Sequence, residues 1–217
     1  MNINIKDPGS ALTHFIAMIL AIVAAIPLIA KAAYASGRFA AIAVAVFIVS
    51  MILLYAASTI YHTLDISEHV NRILKKIDHM MIFVLIAGTY TPVCLIVLGN
   101  PVGYRLLALV WAIAVAGIVI SALWINCPKW FSSMIYIAMG WVCLTAIKTI
   151  VASLTPGAFY WLLAGGIIYT IGGIIYALKL PLFNARFKHF GSHEIFHLFV
   201  MGGSFCHYIV MFQYVAV

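Results

Sequence analysis

The chain has 217 residues, of which 66% are hydrophobic and only 8% are charged, with a mean hydropathy of +1.16. This composition excludes a soluble globular domain, in which about 25% of residues are charged, and indicates a helical protein that crosses a membrane several times. The net charge of +7 does not indicate a nucleic-acid partner, because the lysines and arginines lie mostly between the apolar runs, where they meet lipid headgroups.

Seven apolar runs are long enough to cross a bilayer, since one helical span needs about 20 apolar residues. They cover approximately residues 11–34, 40–62, 78–98, 104–124, 132–152, 159–178 and 194–215. Short connections rich in glycine, proline, asparagine or charge separate them. The sequence therefore predicts an all-α protein, with one membrane domain over residues 1–217 that forms a bundle of seven transmembrane helices.

The orientation follows from the distribution of basic residues, which are more frequent in cytoplasmic loops. The N-terminus and the second, fourth and sixth loops hold eight of them: Lys6, Arg72, Lys75, Lys76, Lys129, Lys179, Arg186 and Lys188. The opposite side holds four: Lys31, Arg38, Arg105 and Lys148. We therefore predict a cytoplasmic N-terminus and a C-terminus outside the cell.

Two histidines mark the beginning of the last span, in the string GSHEIFH at residues 191–197. His193 and His197 are four residues apart, so they share one face of a helix and lie about 6 Å apart along its axis. Two imidazoles at this spacing can hold one transition-metal ion. Polar residues at the mouth of an apolar span are costly and usually functional, which favours a metal site over mere capping or packing.

The second and third spans carry further polar residues at the same membrane surface. Ser58 and His62 are four apart at the end of the second span, and Asp78 begins the third. The topology places all of these residues, with His193 and His197, at the cytoplasmic leaflet. Neutral histidines suit Zn²⁺, and three protein ligands leave a fourth position for water. Asp78 is then either a carboxylate that orients this water or one that simply favours a helix N-terminus.

The combination of motifs resembles the bacterial hemolysin III family. The motifs are Ser58-x-x-x-His62, Asp78, the AGTYTP run at 87–92, and the FGSHExxH string at 190–197 followed by Cys206-His207. This family belongs with the progestin and adiponectin receptors and is distantly similar to the alkaline ceramidases. The resemblance covers essentially the whole chain, from Thr13-His14 to His207.

The resemblance implies a seven-helix protein of the bacterial cell membrane with a cytoplasmic N-terminus. It also implies a Zn²⁺ ion held by His62, His193 and His197, with Asp78 and Ser58 near the metal-bound water. In the receptors the implied activity is hydrolysis of a lipid amide such as ceramide. In the bacterial branch the family name reflects a cytolytic, pore-like activity.

Three functions remain open at this stage. The first is a zinc-dependent hydrolase of a lipid amide or ester, with Asp78 as general base and Ser58 steadying the water or the oxyanion. The second is an intramembrane metalloprotease, because His193-Glu194-x-x-His197 matches the zincin string with Glu194 as base. The third is a receptor-like or cytolytic protein with a structural zinc. Membrane lipids are the expected partners, and the oligomeric state is left open.

Three other histidines are interpreted without a metal. We expect His14, early in the first span, to make a hydrogen bond between helices. His79 is expected at the membrane interface, because adjacent residues on a helix do not share a face. His207 follows His197 by ten residues and lies about 15 Å deeper, so it is too far to share an ion and is expected to hydrogen-bond across the bundle or to line a cavity.

Overall fold

The computed structural model describes residues 5–124, 127–178 and 191–217. The predicted loop residues Lys179, Arg186 and Lys188 lie outside these ranges. Within them the chain is all-helical and has no strand. Its α-helices are α1 (Pro8–Thr63), α2 (Glu68–Pro92), α3 (Pro101–Leu123), α4 (Lys129–Gly140), α5 (Ile147–Ser153), α6 (Pro156–Leu178) and α7 (Ser192–Val210).

Six continuous helices in the described ranges are long and apolar enough to cross a membrane. Some of them join two or three elements: α2 continues as a π-helix over Val93–Leu98, α4 passes through a 3₁₀-helix over Trp141–Ala146 into α5, and α7 continues as a π-helix over Met211–Val215. The all-α membrane architecture predicted from the sequence is confirmed. The count of seven spans stays a prediction.

Helix α1 reverses direction at Gly37. Its backbone there is non-helical, with φ 80° and ψ −173°, a region that residues with a Cβ atom avoid. Two backbone hydrogen bonds join the beginning of α1 to its end: the Asp7 N–H donates to the His62 carbonyl (2.9 Å) and the Lys6 N–H to the Thr63 carbonyl (3.4 Å). The two halves of α1 therefore form a hairpin, which brings the N-terminus beside His62.

Helix α2 lies between two apolar clusters. One cluster packs around Phe47 and Tyr55 of α1 and includes Leu85 of α2. The other packs around Val110 of α3 and includes Phe83 of α2. Because α2 contributes to both, the residues at its N-terminal end, including Asp78, are held from two sides.

Helices α6 and α7 approach closely through glycines. A Cβ atom at Gly172 would lie 2.7 Å from Cβ of Phe199, and one at Gly203 would lie 2.7 Å from the Tyr169 ring. Small residues at such contacts let the side chains of one membrane helix pack directly against the backbone of the next. This contact sets the position of α7, which carries His193 and His197.

The irregular backbone near Gly140 is satisfied by a tyrosine. The Tyr90 hydroxyl donates to the Gly140 carbonyl (2.6 Å) and accepts from the Cys143 N–H (3.0 Å). In lipid a freed backbone group must find its partner within the protein. Tyr90 supplies it from α2, so α4 can change to the 3₁₀ form without an unpaired peptide group at this point.

The reversal at Gly37 gives a first prediction. Gly37→Ala should lower the unfolding temperature in detergent, because an alanine at this φ and ψ costs about 1–3 kcal/mol, although a Cβ atom there meets nothing within 4 Å. Gly166→Ala is the matched control, since its Cβ also meets nothing within 4 Å and its backbone is helical. The control should be neutral or stabilising. Equal unfolding temperatures for the two variants would contradict the described turn.

Candidate metal centre

Three histidines from the two ends of the chain converge at one point. The potential ligand atoms of His62, His193 and His197 all lie within 4.8 Å of one another. His62 and His197 are buried and His193 is half-buried. The hairpin in α1 delivers His62 to this point, and the first two turns of α7 deliver the other two on one helical face. The structure thus brings together all three predicted metal ligands.

The spacing of the ring nitrogens suits a tetrahedral metal ion. The Nε2 atoms of His62 and His193 are 3.2 Å apart. In a tetrahedral zinc site with Zn–N distances of about 2.0–2.1 Å, neighbouring ligand nitrogens are separated by about 3.3 Å. At this distance the two rings either share a metal ion or form one N–H···N hydrogen bond in which one ring is the donor. The spacing and the donor set fit a metal such as Zn²⁺.

The outer nitrogens of two of these histidines are already engaged. Nδ1 of His62 lies 3.0 Å from a carboxylate oxygen of Asp7, and Nδ1 of His197 lies 3.2 Å from the Thr13 hydroxyl. A partner at Nδ1 fixes the tautomer of a histidine and leaves Nε2 available as a metal ligand. Both partners belong to the first residues of the chain, which the hairpin holds against the histidines.

Ser58 and Asp78 face a cavity that the histidines also line. The cavity has a volume of about 400 Å³, and its wall includes Ser58, Asp78, His193 and His197. Both predicted catalytic residues are buried. The buried Ser58 hydroxyl has no hydrogen-bond partner in the described part of the chain, so no other group of the described protein occupies its donor.

Glu194 is engaged at the beginning of α7. One of its carboxylate oxygens accepts from the Gly191 N–H (2.8 Å), and the other accepts from the Ser10 hydroxyl. The carboxylate thus caps α7 and connects it to α1. A general base must reach the attacking water, and these two bonds hold Glu194 at the helix end instead. The arrangement disfavours the metalloprotease hypothesis.

The prediction for His14 is wrong. Neither ring nitrogen of His14 has a hydrogen-bond partner among the described residues. Its ring instead stacks on His197, with centroids 3.6 Å apart and planes 9° apart. The interfacial position of His79 stays a prediction. Its side chain lines the cavity, and its Nδ1 lies 3.3 Å from the Asp78 carboxylate, although adjacent residues do not share a helix face.

The sequence reasoning missed Asp7. An aspartate directly before Pro8 is typical of a helix N-cap, and its carboxylate would then accept from the first backbone N–H groups of the helix. In the structure Asp7 is the N-cap residue but its side chain makes no such bond. It contacts His62 instead, which is 55 residues away in sequence. Only the reversal at Gly37 makes that contact, so no local signal reveals it.

Comparison with known proteins shows similarity to one protein family and to several of its relatives. The family described as "Haemolysin-III related" matches residues 3–208. Hemolysin-3 of Bacillus cereus is 40% identical over 210 residues, which cover 97% of this chain and 92% of that protein. A Hemolysin-3 homolog of Bacillus subtilis (strain 168) is 38% identical over 199 residues, or 92% and 89% of the two chains. The adiponectin receptor protein of Drosophila melanogaster is 27% identical over 220 residues, which cover 93% of this chain but 49% of the receptor.

The triad predicts that the protein retains a metal ion. Wild-type protein purified without chelators should carry about one equivalent of a divalent transition metal, measured by inductively coupled plasma mass spectrometry. His193→Ala should lose the metal, and its unfolding temperature should fall, because metal binding is linked to folding. His69→Ala is the control, since His69 is exposed. Equal metal content in both variants would remove the triad as the binding site.

The contact between Asp7 and His62 gives a separate prediction. Asp7→Asn should weaken metal binding by about 10- to 100-fold, because the carboxylate orients the ligand histidine and raises its basicity. The affinity would be measured by competition with a chromogenic chelator. Asp65→Asn removes the same charge from an exposed loop, where the carboxylate contacts only Asn71 among the described residues, and should bind the metal as the wild type does. Unchanged affinity in Asp7→Asn would show that the contact is incidental.

Proposed function

The chain belongs to the haemolysin-III-related family, and from that premise we propose that it is a zinc-dependent hydrolase of a lipid amide or ester at the cytoplasmic leaflet. It is a multi-pass protein of the cell membrane. The observation that carries the proposal is the cavity of about 400 Å³, on whose wall Ser58 and Asp78 accompany two histidines of the triad.

We infer that the single domain over residues 1–217 crosses the membrane seven times. A straight helix of 56 residues would be about 84 Å long at 1.5 Å per residue, whereas the hydrocarbon core is about 30 Å thick. The reversal at Gly37 divides α1 into two halves that each match one crossing. The excess of lysine and arginine on the N-terminal side supports a cytoplasmic N-terminus and a C-terminus outside.

His62, His193 and His197 are the proposed zinc ligands, each through one ring nitrogen. Zn²⁺ bound there would supply a Lewis acid that polarises a carbonyl group and makes water acidic at neutral pH. Asp7 and Thr13 hold the rings of His62 and His197 in place. His14 covers one face of His197 by stacking and so helps to exclude bulk water from the ligand.

Asp78 and Ser58 are the proposed catalytic residues. The Asp78 carboxylate would accept a proton from the attacking water and then transfer it to the leaving amine or alcohol. His79, at 3.3 Å, and the Tyr176 hydroxyl, 3.3 Å from the far nitrogen of His79, position this carboxylate. The unpartnered hydroxyl of Ser58 would donate to the oxygen that becomes negative as the carbonyl is attacked.

The wall of the cavity indicates the class of substrate. Beyond the polar end, most of its wall residues are aliphatic or aromatic, among them Leu54, Leu85 and Leu162. A wall of this kind binds an acyl chain by burial of apolar surface. An acyl chain in this position would present the carbonyl of its amide or ester bond to Asp78 and Ser58.

A cytolytic role is the second candidate, and the name of one relative favours it. Hemolysin-3 of Bacillus cereus shares 40% identity with the chain along nearly its whole length. In this alternative the zinc would be structural and would hold the helix ends together. The polar groups near the triad would then have no substrate, and Asp78 would serve only to hold His79.

The decisive variant is Asp78→Asn. It should keep the metal but lower hydrolysis by about 10²- to 10⁴-fold, the usual contribution of a general base. The substrates would be a panel of ceramides, N-acyl amines and glycerol esters in proteoliposomes, with the released fatty acid measured by mass spectrometry. Glu194→Gln serves as the comparison, because its carboxylate caps α7, and it should lose far less activity.

The contrary outcomes separate the alternatives. Loss of hydrolysis in Glu194→Gln but not in Asp78→Asn would favour the protease-like assignment of the base. Absence of hydrolysis by the zinc-loaded wild type, together with release of dye from liposomes by both the wild type and Asp78→Asn, would favour the cytolytic role.

A further inference from the structure

A second group of polar side chains lies in the interior of the bundle. The Tyr55 hydroxyl donates to the Ser204 hydroxyl (2.8 Å), and the Tyr169 hydroxyl shares a second hydrogen bond with Ser204 (2.8 Å). His207 stacks on the Tyr169 ring, with centroids 5.4 Å apart and planes 18° apart. We call Tyr55, Tyr169, Ser204 and His207 the inner polar cluster. It brings together α1, α6 and α7.

Within the inner polar cluster, His207 lies far from the metal centre but on the same cavity. His207 follows His197 by ten residues of regular helix, which places it about 15 Å further along α7. The cavity that Ser58, Asp78 and His197 line is also lined by His207 and Tyr169. The cavity is thus a mainly apolar space with two separate groups of polar side chains on its wall.

His207 lacks the hydrogen bonds that its ring requires. It is 7% exposed, and its Nδ1 has no hydrogen-bond partner in the described part of the chain. A neutral imidazole has one donor and one acceptor, and leaving either unpaired in an apolar interior is costly. Phenylalanine would fill the same space without that cost. An ionisable residue kept within a membrane span usually has a function.

The backbone of α6 makes room for this imidazole. A Cβ atom at Gly165 would lie 2.6 Å from Nε2 of His207 and 2.7 Å from its neighbouring ring carbon. The ring therefore rests directly on the α6 backbone, between Gly165 and the Tyr169 ring. This packing holds the imidazole at the cavity wall in one orientation.

We propose that the inner polar cluster is a second binding site, centred on His207, for a hydroxyl group carried by an otherwise aliphatic lipid chain. A hydroxyl is both donor and acceptor, so it can pair with either nitrogen of the neutral ring. The distance of about 15 Å from the triad places this hydroxyl near the middle of a long acyl chain. The inference rests on the cavity taking a lipid, as proposed above, but not on hydrolysis.

The inner polar cluster connects the helices by hydrogen bonds that do not involve His207. Ser204 already joins α7 to α1 and α6 through its two tyrosine partners, and both of those bonds lie within the protein. His207 adds no hydrogen bond to this connection. We therefore expect its polar atoms to pair with a group that enters the cavity, and they would select chains that carry a hydroxyl over chains that do not.

The experiment compares stearic acid with 12-hydroxystearic acid as competitors of a fluorescent fatty acid bound to the full chain in nanodiscs. Wild-type protein should bind the hydroxylated acid about tenfold more tightly, as expected for one hydrogen bond in an apolar site. His207→Phe should bind both acids equally, while its affinity for stearic acid is maintained. Comparing the ratio of the two affinities between variants removes any difference in how the acids partition into the bilayer.

Tyr208→Phe is the matched control. It removes a hydroxyl from the neighbouring residue of α7, which donates to the Ala24 carbonyl, and it should keep the tenfold ratio. If His207→Phe does not fold, Gly165→Ala replaces it: the added Cβ atom must displace the imidazole and should bring the ratio to about one.

The outcomes distinguish the two proposals. A ratio of the two affinities that is the same in the wild type as in His207→Phe or in Gly165→Ala overturns the second binding site and leaves the proposed hydrolase intact. Failure of the wild type to bind either acid overturns the cavity as a lipid site, and with it the proposed class of substrate.

Discussion

The hydrocarbon of the bilayer offers no hydrogen-bond partner, and this constraint shapes the whole molecule. Each polar group within the spans either finds a partner inside the protein or remains unpaired at a substantial cost. Most follow the first course: Tyr90 satisfies the irregular backbone beside Gly140, and Thr89 and Thr91 donate to carbonyls of their own helix. Among the described residues, the buried side chains with an unpartnered polar atom, Ser58 and His207 among them, lie on the wall of one cavity.

The hairpin in α1 positions one candidate metal ligand and its partners. By reversing at Gly37, the chain returns His62 to the membrane surface from which it began, where Asp7 and Thr13 contact two of the three histidines. The bond from Ser10 to Glu194 adds a further connection between the first turn of α1 and the first turn of α7. The candidate ligands are thus held by the N-terminal residues of the chain, so a metal ion bound there and the assembly of the helices would support each other.

The packing of α6 against α7 fixes where His207 lies relative to the candidate metal centre. Glycines at this contact let the helices approach closely, which fixes the rotation of α7. That single rotation directs His193 and His197 toward His62 at one end and His207 toward the cavity at the other. An acyl chain lying along α7 would meet the proposed hydrolytic groups and the inner polar cluster together, so chemistry and selection would depend on one helix.

The sequence by itself determined the all-α membrane architecture, the family, and the residues that converge at the candidate centre. It could do so because a polar residue in an apolar run is conspicuous, and because counting spans places His62, Asp78, His193 and His197 at one surface. Only the tertiary structure decided how each side chain is held. Five of these contacts depend on the reversal at Gly37, on the rotation of each helix about its axis or on side-chain conformation. They are the contacts of Asp7 with His62, of Thr13 with His197, of His14 with His197, of His79 with Asp78 and of Tyr55 with Ser204. Hydropathy fixes the depth of a residue in the membrane but not the direction in which its side chain points.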